Sequence, residues 1–149
     1  MRWLSYRLLP GDDFMLITLT EKVISVDEAL AAVRHPSCGA TAVFLGDIRR
    51  ENHGRKVLGL EYEVYERFFF TEVERIEKEI YQQWKIHQVA LVQRVGKLDV
   101  SETGLAIAVS SPHRREALAA LSYLVEEFKK RAPVWKKEYY EDQAEWIHC

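Results

Sequence analysis

Apolar positions recur along this chain with two different periods, and the switches between them lay out a series of strands and helices. FMLITLT (14–20) is apolar and β-branched and reads as a strand. SVDEALAAVR (25–34) follows as a short helix opened by a capping box, with Ser25 at the N-cap and Glu28 three residues on. After the turn HPSCG, the run ATAVFLGDI (40–48) has the content of a buried strand. RRENHGRK (49–56) is almost wholly polar, with one glycine, and is expected to be an exposed, mobile loop. VLGLEYEVY (57–65) alternates as a strand does. RFFFTEVERIEKEIYQQW (67–84) then sets Phe69, Val73, Ile76 and Ile80 at helical spacing.

QVALVQRVGKL (88–98), a turn at DVSETG and LAIAVSS (105–111) predict a hairpin whose second strand is the more buried. Pro112 suits the first position of a third helix after Ser111, and Ala117, Leu121, Leu124, Val125 and Phe128 form its apolar stripe. That helix should stop near Lys130, because Pro133 pushes Ala132 out of the α region. VWKKEYYE (134–141) alternates again, placing Lys136 and Glu138 on one side of a strand and Trp135 and Lys137 on the other. Strands and helices follow no strict βαβ order, so the expected class is α+β. No linker, repeat or low-complexity stretch divides the chain, and residues 1–149 are expected to form a single domain.

Composition narrows the function classes. With 48% hydrophobic and 30% charged residues and a net charge of −2, the chain has the profile of a soluble domain. A general polyanion binder would spread basic residues over a whole face, so any anion site here must be local. Cys38 and Cys149 lie far apart and suggest neither a disulfide framework nor a CxxC site, which fits a reduced, cytoplasmic setting. His35 and Cys38 have ligand-like spacing but no second pair, so no metal is expected. No export signal and no run of 18 apolar residues is present, so no membrane span is expected.

Three basic clusters remain as candidate chemistry. FKKRAPVWKKE (128–138) carries five positive charges and one negative. Lysines in the last turn of a helix stabilise its carbonyl end, but two more directly after a proline turn repel the first group unless an anion joins them. A lysine acting as a base near neutral pH would need a pKa far below its ordinary ~10.4, a push that neighbouring cations and a closed pocket supply. His113, Arg114 and Arg115 open the same helix, where basic side chains oppose the dipole unless a phosphate binds. Arg49 and Arg50 stand where a strand meets the polar segment, placed either to fork onto a phosphate or carboxylate or to be solvated. Sixteen residues separate His113 from Lys129, which is ~24 Å along one helix. One small ligand cannot span that distance. Either the clusters serve different purposes, or a two-fold axis brings one copy's His113 and Arg114 beside the other copy's Lys129 and Lys136.

GATAVFLGDIRRENHGRKVLGLEYEVYE, QRVGKLDVSETGLAIAVSSPHRREAL and above all FKKRAPVWKKE resemble the large, catalytic subunit family of molybdopterin synthase, over residues 39 to 146. The resemblance implies an α/β-hammerhead-like fold with a mixed or antiparallel sheet and about three helices. It implies a homodimer at the centre of a heterotetramer, with a small ubiquitin-like subunit on each outer side. The tail of that partner carries a thiocarboxylate. The implied reaction moves two sulfurs from it to cyclic pyranopterin monophosphate, giving the dithiolene of molybdopterin, with no resident cofactor or metal. Carried over residue by residue, the two essential lysines fall on Lys129 and Lys136, and the substrate-binding arginine on Arg49. The His-Arg pair falls on His113 and Arg114, expected from the opposite subunit, and Lys137 is counted with the substrate-binding set. Gln93 stands where the family often has His, and Ser101 where Gly is common; neither is expected to touch the chemistry. Two other readings fit the residues: a dimeric module that binds a ubiquitin-like tail or a phosphorylated ligand without chemistry, and an RNA-binding protein. The net negative charge and the lack of an aromatic-basic stripe count against RNA.

Overall fold

The computed structural model describes residues 5–7 and 15–149. Phe14, the first residue of the expected strand FMLITLT, lies outside them. The elements in chain order are β1 (Ser5–Arg7), β2 (Met15–Thr20), α1 (Val26–Val33), β3 (Ala40–Asp47), β4 (Glu51–Asn52), β5 (Arg55–Lys56), β6 (Gly59–Val64) and α2 (Glu66–Gln83). They continue as β7 (Gln88–Arg94), β8 (Gly96–Leu98), β9 (Thr103–Ser111), α3 (Arg114–Arg131), β10 (Val134–Tyr139) and β11 (Ala144–His148). One sheet runs β1-β2-β7-β9-β3, with β2 and β7 parallel and the other pairs antiparallel. A second, wholly antiparallel sheet runs β11-β10-β6-β8. The fold is therefore α+β, with three helices among the described residues.

The period-2 alternation of β7 and β9 decides which helix covers which face. Val89, Leu91, Ile107 and Val109 point to one side, where α2 brings Phe69, Val73, Ile76 and Ile80 and α3 brings Leu124 and Phe128. Ala90 and Ala108, one residue out of phase, meet Val33 of α1 on the other face. Phe69 and Phe128 are fully buried and meet edge to face with ring centroids 5.9 Å apart. Each such side chain contributes ~1.5–3 kcal/mol by leaving water. A third cluster of Ile48, Leu60 and Leu98 lies under the second sheet. No helix among the described residues is long and apolar enough to cross a membrane.

The helix boundaries follow local rules closely. The Ser25 hydroxyl accepts from the Glu28 N–H at 3.2 Å and caps α1. Ala132, held before Pro133 at φ −68° and ψ 133°, ends α3 one residue past the expected stop. Pro112 does not take the first helical position. Its carbonyl accepts from the Gly39 N–H at 3.2 Å, so the chain stays extended through His113, which becomes the N-cap.

Other differences come from partners distant in sequence. β3 is an edge strand, not a buried one, and leaves Val43 and Leu45 exposed. The expected loop 49–56 is a hairpin, β4 paired with β5, closed by His53 and Gly54 at φ 50° and 75°. Two consecutive positive φ values make the two-residue turn that suits the right-handed twist of a hairpin, and the glycine takes the second at little cost. The hairpin of β7 and β9 forms as expected, with β9 the more buried. In addition Gly96, at φ 84°, turns the first strand out of its sheet, so that β8 pairs with β6 instead.

Ser101 sits in the turn after β8 at φ 74°, a conformation that crowds any Cβ. Its N–H is bonded to the Ile48 carbonyl at 2.8 Å, so the strained geometry is held in place. Ser101→Gly is expected to raise the unfolding free energy by about 1 kcal/mol. Urea titration of the two proteins checks this, and an unchanged or lower midpoint would count against strain at this turn.

Candidate active site

A pocket of about 260 Å³ opens between the end of α3, the start of β10 and the end of β3. Lys129, Lys136 and Arg49 all line it. The helix stop makes this possible: the Ala132 N–H closes on the Phe128 carbonyl at 2.9 Å, and the Val134 N–H returns to the Ala132 carbonyl at 2.8 Å. The chain thus reverses within the segment RAP and aims the two lysines into one space.

The crowding of cations in this segment is resolved by giving them different partners. Arg131 reaches back to α2 and pairs with Glu72 at 2.7 Å and Glu79 at 2.8 Å, with Glu127 at 3.5 Å. Donating to Glu79 and Glu72 raises the Arg131 pKa, and the bonds from Arg131 and the Tyr123 hydroxyl lower that of Glu79. Lys130 lies 3.9 Å from Glu127. Lys129 is exposed and has no ion pair among the described residues. Lys136 is the more sheltered lysine, its Nζ 3.0 Å from Glu138 Oε1.

Glu138 is buried at 3% exposure and shares the strand side of Lys136, as the alternation of β10 predicts. Its other oxygen accepts from Asn52 Nδ2 at 2.9 Å and from the Tyr140 hydroxyl. Burial alone would push this carboxyl up, but the hydrogen bonds from Tyr140, Asn52 and Lys136 outweigh it and hold the group below the ordinary carboxylate range. Lys136 therefore faces a carboxylate that stays ionised, while Lys129 does not.

The remaining walls are less polar. Tyr62 of β6 lies against Gly104, where an added Cβ would fall within 2.7 Å of the ring, so the glycine is what lets the tyrosine in. Burial pushes the Tyr62 phenol up and keeps it neutral. Burial also pushes the Cys149 thiol up to about 11, against the opposing pull of Lys136 and Lys129, so this pocket residue is a neutral thiol near pH 7. Gln93, expected to stand away from the chemistry, lines the pocket as well, with its Nε2 bonded to the Arg94 carbonyl at 2.8 Å.

The other sequence candidates are not brought here within one chain. His113 and Arg114 are exposed at the opposite end of α3, where His113 is the N-cap with no side-chain capping bond. Lys137 lies on the outer face of β10, its Nζ 5.5 Å from the centre of Tyr139 and 5.6 Å from that of Trp146. Among the described residues no group of three His, Cys, Asp or Glu side chains is placed to hold a metal ion. Sequence reasoning missed Asn52, Tyr62 and the pocket role of Glu138. Glu138 had a usable signal in its two-residue spacing from Lys136, whereas Asn52 is 86 positions from its partner and had none.

Fold and pocket together define an α+β protein in which two lysines and a strand-end arginine share one partly enclosed pocket. The profile of the MoaE protein family matches residues 19–131, and the chain belongs to that family. It is 41% identical over 131 residues to the human molybdopterin synthase catalytic subunit, covering 88% of this chain and 70% of the human one. It is 42% identical over 123 residues to the molybdopterin synthase catalytic subunit of Pyrococcus abyssi, covering 83% of each. The crystal structure of molybdopterin synthase from Staphylococcus aureus superimposes with a TM-score of 0.82 at 34% identity, over 87% of this chain and 94% of that one.

Proposed function

We propose that this chain is the catalytic subunit of a molybdopterin synthase and works as a sulfurtransferase. It moves sulfur from the C-terminal thiocarboxylate of a small ubiquitin-like subunit to cyclic pyranopterin monophosphate. The observation that supports this most is the meeting of Lys129, Lys136 and Arg49 in one pocket of a MoaE family member. In each transfer the thiocarboxylate sulfur bonds to a side-chain carbon of the pterin as the C–O bond at that carbon breaks, its oxygen leaving as water or on the phosphate. Water then cleaves the acyl C–S bond, leaving a carboxylate on the tail and the sulfur on the pterin as a thiolate. Two such transfers build the dithiolene.

The residues divide this work by their surroundings. Arg49 offers guanidinium donors to the phosphate or pterin. Lys136, fixed beside an ionised Glu138, is suited to neutralising the oxyanion that develops at the acyl carbon. Lys129, with no ion pair among the described residues, is suited to moving protons as the C–S bonds form and break. His113 and Arg114 are assigned to the site of the opposite subunit of a homodimer, since a helix of this length separates them from their own chain's lysines. The assembly is then a homodimer with a small subunit at each outer end, acting in the cytoplasm. Lys137, on the outer face over Tyr139 and Trp146, is left out of this division of roles.

The direct test is to incubate the protein with a thiocarboxylated small subunit and the cyclic pterin and measure dithiolene product. No product from the wild-type protein would sink the reading and favour a module that binds without chemistry. Site sharing has its own test: a mixed dimer with His113→Ala and Arg114→Ala on one chain and Lys129→Ala on the other. Sharing leaves one intact site and about half the activity. A mixed dimer with almost none would mean that each site uses its own chain's residues.

A further inference from the structure

We propose that Asn52 is a positioning residue of the active site, an uncharged spacer that keeps Arg49 off Glu138 and so preserves both the free arginine and the Lys136–Glu138 pair. The inference rests on the function proposed above for this pocket. Arg49 Nη2 donates to Asn52 Oδ1 at 3.4 Å, and Asn52 Nδ2 donates to Glu138 Oε2 at 2.9 Å. Lys136 then holds the other oxygen of Glu138 at 3.0 Å. A single amide thus stands between the strand-end cation and the buried carboxylate.

Chemistry explains why an amide suits this place. Asn presents an acceptor to the guanidinium and a donor to the carboxylate at the same time. An aspartate could accept from Arg49 but would set its oxygens against those of Glu138. With nothing in between, an arginine and a buried carboxylate form a strong bidentate pair. Such a pair would consume the donors that Arg49 offers to substrate and compete with Lys136 for its counter-ion. The observed Arg49 contact is long and to a neutral atom, so most of its five N–H donors stay available.

The hairpin holds Asn52 where this works. Arg55 pairs with Glu145 at 3.0 Å and Asp142 at 3.6 Å and lies 3.7 Å above the centre of the Tyr140 ring. The Val57 N–H closes on the Arg50 carbonyl at 2.8 Å. Asn52 immediately precedes the His53–Gly54 turn. The polar groups that face Glu138 are Lys136 and Tyr140 from its own segment, Asn52 from the hairpin, Tyr62 from β6 and Cys149 after the C-terminal strand. Among these, Asn52 is the one bonded to both Arg49 and Glu138.

The test combines kinetics with a structure. Asn52→Ala is expected to lower kcat/KM on the order of 10–100-fold, through a higher KM for the cyclic pterin as well as a lower kcat. In an Arg49→Ala background the same change should cost no more than about threefold, because the arginine that would collapse is gone. Effects that simply multiply would overturn the proposal, as would an Asn52→Ala enzyme within about twofold of wild type. Asn52→Asp keeps the size and the Arg49 contact but loses the donor to Glu138. It should be at least as impaired, and full activity would overturn the proposal even if the alanine variant fails to fold. A crystal structure of Asn52→Ala supplies a readout independent of turnover. Arg49 should move to within ~4 Å of Glu138, the ion-pair distance; an arginine that stays away from the carboxylate overturns the idea. If the wild-type protein makes no dithiolene, the functional reading fails, and the crystal structure still decides the role of Asn52.

Discussion

Lys129→Ala is expected to lower dithiolene formation by about 10²–10⁴-fold, the usual cost of removing a positioned proton-transfer group. Fold and partner binding should survive. Lys129 is exposed and unpaired among the described residues, so its loss strands no buried charge. Lys136→Ala should differ in a way that can be measured. It deprives the buried Glu138 of a partner, leaving Asn52 and Tyr140 among the described residues. Stability should fall by ~1–3 kcal/mol along with activity. Single-turnover assays and thermal denaturation on both variants separate the two cases. Lys129→Arg sharpens the assignment: recovery of most of the rate would make Lys129 an electrostatic group, and a dead enzyme would make it a proton carrier, since guanidinium does not deprotonate. A Lys129→Ala rate within threefold of wild type would remove this residue from the reaction.

Glu77→Met is expected to stabilise the protein at neutral pH by ~1–3 kcal/mol, the cost of leaving a buried polar group unsatisfied. Glu77 lies on the apolar side of α2 with 0% exposure, and neither carboxyl oxygen has a hydrogen-bond partner among the described residues. Burial raises its pKa well above the ordinary value, and the nearby Glu74 raises it further. The folded protein therefore holds a proton here that the unfolded chain releases above ~4.3. Stability must fall as pH rises from the ordinary carboxylate range through the raised folded value. The advantage of Glu77→Met should be smallest near pH 4 and grow toward neutrality. Guanidinium denaturation at several pH values measures it. A variant less stable than wild type at pH 7, or a difference that does not change with pH, would mean that Glu77 is satisfied in solution.

How much of this was legible depends on the distance over which each feature is decided. The spacing of Phe69, Val73, Ile76 and Ile80 located α2, and Glu77, four residues after Val73, falls on the same stripe. Its burial without a partner could not be read, because that depends on what packs over the helix. RRENHGRK looked like a loop by composition, yet its central His-Gly turn and the clamp on Arg55 make it a wall of the pocket. Ser101 stands where glycine is common in the family, and it occupies a positive-φ position that composition alone does not reveal.

By itself the sequence determined the class of fold, the end of α3 at Ala132, and the shared strand side of Lys136 and Glu138. It also determined that His113 and Lys129 cannot meet within one chain. These follow from proline sterics, the helical rise and the two-residue period of a strand, all of which act between near neighbours. Only the tertiary structure decided that β3 is an edge, that Gln93 and Tyr62 line the pocket, and that Asn52 stands between Arg49 and Glu138. Those features join segments that are far apart along the chain. Packing of one sheet against another sets them, and no local period records it.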